Sequence, residues 1–205
     1  MNHRITRRSL IASGITSVAV LATSSARSEE MTLSPTQWTD KYGLIKDLPK
    51  DKEPLTDELK KYPRCRYCGM ERAKFSHSRH LIVYEDDAVD ATCSLHCAAI
   101  GLSLNMDRGP KSIYAGDAGA DAASKPLVLV DSASYVVEPS RPGTMTKVSV
   151  LAFADKAKAE AAAKASAGAG AEVVDFNAAL RKAYAVMADD TIMLRQKRRE
   201  TRSRM

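Results

Sequence analysis

Aromatic side chains are scarce. Tyrosine, phenylalanine and a single tryptophan, Trp38, make up 5% of the 205 residues, so an interior has to be built from aliphatic residues and alanine. Long apolar runs are missing as well. The apolar stretch 10–22 is diluted by Ser13, Gly14, Thr16 and Ser17, and it falls short of the ~20 residues that span a bilayer. A basic folded surface is also lacking, although the formal charge is +6. Arg4, Arg7 and Arg8 belong to an N-terminal segment expected to be removed, which leaves +3. The tail 195–205, with six basic residues and Glu200, carries +5, so the remainder is about −2. Nucleic-acid binders concentrate positive charge on a folded face, and that class is excluded. Cysteine is rare too: there are four, all between Cys65 and Cys97.

Those four are paired in sequence. Cys65-Arg66-Tyr67-Cys68 is followed by Gly69 and Met70, and Cys93-Ser94-Leu95-His96-Cys97 follows after two short strand-like runs. Gly69 suits a tight turn because it takes a positive φ without a Cβ clash. Cys93, His96 and Cys97 stand at i, i+3 and i+4, one face of a helix. A turn pair facing a helix-start pair across a hairpin is the arrangement of treble-clef metal units. Four thiolates read most simply as a closed structural zinc site. In an oxidising compartment the same count permits two disulfides, and a CxxC permits a thiol–disulfide enzyme with Cys65 as the exposed nucleophile. Gly69 directly after Cys68 opposes the helix that a redox motif of that kind opens. Further soft donors crowd the same stretch: Met70, His77, His80 and His96, three of the four histidines. Thioether has no use in a zinc site, whereas Cu(I) accepts thiolate, thioether and imidazole. Taken alone, His77 reads as a surface residue.

The rest of the chain divides around this stretch. Residues 1–26 read as an export signal, with Thr6-Arg7-Arg8-Ser9-Leu10-Ile11 similar to a twin-arginine motif and Ser24-Ser25-Ala26 supplying small residues for cleavage. That implies a periplasmic location and no stable membrane anchor after cleavage. Residues 27–61 form a polar, proline-punctuated arm expected to pack lightly on the core. A first unit, 62–131, contains strands at 80–85 and 88–92 around an Asp86-Asp87 turn, a helix from Cys93 to about Met106, and a returning strand at 126–130. A second unit, 132–176, has strands at 134–138 and 148–153, a helix capped by Asp155, and a strand at 172–176. A long last helix and a basic tail occupy 177–205. The order is two ββαβ units and a helix, which indicates an α+β fold.

Several runs resemble the NosL family of nitrous oxide reductase accessory proteins. They are Tyr67-Cys68-Gly69-Met70, Phe75-Ser76-His77-Ser78-Arg79, Thr92-Cys93-Ser94-Leu95-His96-Cys97-Ala98-Ala99, Ile113-Tyr114-Ala115-Gly116-Asp117, Gly143-Thr144-Met145-Thr146-Lys147 and Ala152-Phe153. The resemblance implies a non-enzymatic Cu(I) carrier of two ββαβ units that serves an exported cuproenzyme or its assembly machinery. It adds Met145 to the ligands expected from the residues themselves, Cys65, Cys68, Met70, His80, Cys93, His96 and Cys97. Two differences stand out. Well-known members carry a lipid-bearing cysteine, and they place histidine two residues after the second-unit methionine, where this chain has Lys147.

Overall fold

A computed structural model describes residues 47–166 and 170–203, with positions 34, 37 and 41. The export segment and most of the arm before residue 47 lie outside the described residues. The described elements are α1 (Glu58–Lys61), β1 (His80–Tyr84), β2 (Val89–Thr92), α2 (Leu95–Leu104), β3 (Pro110–Gly116), β4 (Leu127–Leu129), β5 (Ser134–Glu138), β6 (Ser149–Phe153), α3 (Lys156–Ala165), β7 (Glu172–Val174) and α4 (Phe176–Ser203). They build two antiparallel sheets, of order β2-β1-β3-β4 and β6-β5-β7.

Each sheet has the same plan. The first strand of the unit is central, the second pairs on one side, and the strand after the helix returns on the other. The returning strand of the first unit is β3, however, and not the 126–130 run expected from sequence. Pro110, Lys111 and the half-buried residues after them hide the alternation of β3. Residues Leu127–Leu129 add a fourth, half-exposed edge strand instead of a buried one. β1 is buried along its whole length because it is central and covered on both faces. Ile82 and Tyr84 enter the main core, and Leu81 packs with Val89 and Ala91 on the other side. The Asp86-Asp87 turn is as expected, with Asp87 at φ 60°.

One core joins the two units. Ile82, Tyr84 and Ala115 meet Tyr135 and Ala152 of the second sheet, with Leu95, Ala98 and Ala99 of α2 and Phe176, Ala179 and Ala183 of α4. Alanine on the facing sides lets α2 and α4 approach closely in a chain short of aromatics. A bridge from Asp117 to Ala152 also links the sheets, with the Ala118 N–H donating to Ala152 O at 2.8 Å.

The arm is more deeply engaged than expected. Leu48 is buried in the main core, and the Val89 N–H donates to Pro49 O, which extends the sheet past β2. Glu58 of α1 is 6% exposed and ion-pairs with both Arg72 and Arg79.

Candidate metal centre

The first cysteine pair sits on a tight turn. The Cys65 N–H donates to Met70 O and the Gly69 N–H donates to Cys65 O, each at 2.8 Å. Gly69 has φ 75°, a conformation that a Cβ would strain. The turn also aims the N–H groups of Cys68 and Tyr67 at the Cys65 sulfur.

The second pair straddles a helix start. Ser94 is the N-cap of α2, and its hydroxyl accepts from the Cys97 N–H at 3.4 Å. Cys93 therefore precedes the helix, in place of opening it as the i, i+3, i+4 spacing suggested. A capping serine outcompetes the preceding residue because its oxygen satisfies an N–H the helix leaves open.

The hairpin of β1 and β2 brings the pairs together. All four sulfurs lie within 4.8 Å of one another, and all four thiols are free. Cys68 Sγ is 3.4 Å from Cys93 Sγ and 3.9 Å from Cys97 Sγ, and Cys93 and Cys97 are 3.8 Å apart. Cys65, Cys93 and Cys97 are buried, and Cys68 alone is half-exposed. That inverts the order needed by a redox enzyme attacking through Cys65. Proton sharing sets the charge. Hydrogen bonds from Cys93 and Cys97 hold the Cys65 thiol far below its usual range. Donation to Cys65 pushes Cys93 up to about 12 and Cys97 upward as well. An incoming cation has to release the remaining protons, so its binding strengthens as pH rises.

Three contacts that no spacing announces hold the cluster in place. The Arg72 guanidinium, fully buried, donates to Tyr62 O at 2.7 Å, Thr92 O at 3.1 Å and His80 O at 3.3 Å. It ties the residues flanking both cysteine pairs together, with Glu58 balancing its charge. Tyr67, between Cys65 and Cys68, donates its hydroxyl to Asp90 of β2. That pair lies against Gly101 of α2, where a Cβ would stand 2.3 Å from Asp90 Oδ2. The Ser78 hydroxyl meets Cys93 O at 2.8 Å and the Thr144 hydroxyl at 3.0 Å, so the second unit's 143–147 loop reaches the cluster's edge.

The remaining expected ligands separate. Met70 packs directly on the cysteines, with Tyr67 and Phe75. His80 is a core residue. Its Nδ1 bonds Ser78 O at 2.9 Å and its Nε2 bonds the Tyr135 hydroxyl at 3.1 Å. A carbonyl only accepts, so Nδ1 carries the proton and Nε2 accepts from tyrosine. Burial pushes its pKa down to about 4. Both nitrogens are used, which corrects the ligand role expected from three histidines in one stretch. His77 lines a cleft of about 270 Å³ between the units with His96, Arg141 and Thr144. Met145, 41% exposed, lies beyond it in a groove with His96, Met187 and Met193. Among the described residues, only the four cysteines form a group of His, Cys and carboxylate donors close enough to hold a metal.

The NosL family model matches residues 56–181. The chain is similar to the crystal structure of the copper chaperone NosL from Shewanella denitrificans at 22% identity and a TM-score of 0.43, over 56% of this chain and 87% of that one. No curated protein matches the chain. Since the matched residues span most of the described fold and every cysteine of the cluster, the chain belongs to the NosL family.

Proposed function

We propose that this protein carries Cu(I) on its cysteine cluster outside the cytoplasm and delivers it to an exported copper enzyme, nitrous oxide reductase first among them. The observation that carries the reading is the set of four free sulfurs within 4.8 Å. Soft thiolates are the donors Cu(I) prefers. Family membership supplies the carrier role, as the resemblance implied. No catalytic step is needed. The chain's part is to hold the ion, exclude water and open one ligand at a time. Cys68 is the half-exposed sulfur where an incoming donor gains access. Met70, packed on the cysteines, is a soft donor at hand for the exchange.

A structural zinc site is the second reading, and one observation favours it. The sulfur separations of 3.4, 3.8 and 3.9 Å are near the ~3.8 Å edge of a tetrahedron with ~2.3 Å Zn–S bonds. Cell physiology separates the two. A strain lacking the protein should leave its nitrous oxide reductase short of copper under copper limitation. The Met70→Leu/Met145→Leu double variant should fold and restore filling only slowly. Normal filling in the deletion strain would overturn the delivery role.

A further inference from the structure

The groove beside the cysteine cluster gathers soft donors from three separate segments. His96 comes from α2, Met145 from the 143–147 loop, and Met187 and Met193 from α4. Met187 packs on the main core, and the other three each have a feature that plain packing leaves unexplained. Met145 adopts φ 67° while 41% exposed. A non-glycine residue pays for a left-handed backbone, and such strain persists where the surroundings enforce it, often at ligand sites. His96 has a ring nitrogen, Nδ1, that is shielded from solvent and has no hydrogen-bond partner. A buried polar atom without a partner points to an unseen water or ion. Met193 is half-buried in a stretch of α4 whose other described side chains are exposed.

The groove is also joined to the cluster. His96 precedes Cys97 in α2. The loop bearing Met145 touches the cysteines' shell through Thr144 and Ser78, and touches α4 through Thr146 and Asp190 at 3.5 Å. Lys147, two residues after Met145, also lines the groove. An ammonium is no ligand for Cu(I). The imidazole of His96 and the thioethers of α4 supply soft donors in its stead.

We propose that His96, Met145, Met187 and Met193 form a second Cu(I) site, weaker than the cysteine cluster, through which the ion passes between solvent and the thiolates. The proposal rests on the Cu(I)-carrier reading. Thioethers and a neutral imidazole bind Cu(I) without releasing protons or changing its oxidation state. The ion therefore moves by ligand exchange alone, and the only protons displaced are those of the thiols it reaches.

Methyl NMR of the mature chain, carbon-13 labelled at its methionine methyl groups and titrated anaerobically with Cu(I), tests this. The first equivalent should leave the Met145, Met187 and Met193 methyl signals in place. The second should shift all three together with the His96 ring. A Met145→Leu/Met187→Leu/Met193→Leu variant should keep the first equivalent and lose the second. The proposal is overturned if a second equivalent leaves those signals unmoved, or if the variant binds two equivalents as the parent does. Filling of the methionines while the cysteines refuse Cu(I) would uphold the groove and overturn the cysteine reading. Failure of both to bind would overturn both.

Discussion

Two buried titratable residues bracket the cluster and pull stability in opposite directions. Burial raises Asp90 to about 6, so the folded state holds its proton more tightly than the unfolded chain does. Its contribution therefore favours folding below pH 4 and fades as pH rises through 6. Burial lowers His80 to about 4, so the unfolded chain binds its proton first. That contribution is full above pH 6.5 and fades as pH falls toward 4. The two trends offset each other across the same window. Asp90→Asn removes one of them, and the variant should lose urea stability between pH 7 and pH 5 more steeply than the parent. Parallel pH profiles would show that Asp90 titrates normally. Asp90 was not legible as part of the site. The cysteines announce themselves through spacing, and Met70 through adjacency. Arg72, Asp90 and Glu58 act through contacts between distant segments, which leave no local pattern. His80 misled for the same reason, since its partner Tyr135 lies in the other unit.

Two helix caps show how an element can serve the fold and the site separately. Ser94 caps α2 at Cys97, and Asp155 caps α3, accepting from Ala157 N at 2.7 Å. Removing either should cost about 1 kcal/mol of stability. Ser94→Ala should also weaken metal binding, because it frees the turn that sets Cys93 against Cys97. Asp155→Ala should leave metal binding intact. Paired urea melts and metal titrations check both, and equal metal affinity in the two variants would remove the cap from the site. Asp155 was readable from sequence, as were β1, β2, β5 and β6, because β-branched runs and turn residues frame them. Ser94 was not, because the regular spacing of Cys93, His96 and Cys97 drew the helix start two residues too early. β3 escaped because half-buried residues alternate weakly, and a strand of that kind is identified by its partners.

At the scale of the molecule, the repeated ββαβ plan was legible, and the shared core was not. Tyr135, Phe176 and the alanines of α4 close over the first unit's sheet, so the second unit is part of what holds the cysteines in place. The location of the protein is a proposal carried by the N-terminal segment. Periplasmic protein should begin at Arg27 by mass spectrometry, and Arg7→Lys/Arg8→Lys should stop export; export that survives the change would point to the ordinary secretory route. The central claim is that one Cu(I) sits among the four cysteine sulfurs. It is tested most directly by copper K-edge X-ray absorption on protein loaded anaerobically with a single equivalent of Cu(I). The account predicts an all-sulfur first shell that is lost in Cys93→Ser. A first shell dominated by nitrogen, or copper bound elsewhere while zinc stays in the cysteines, would contradict it.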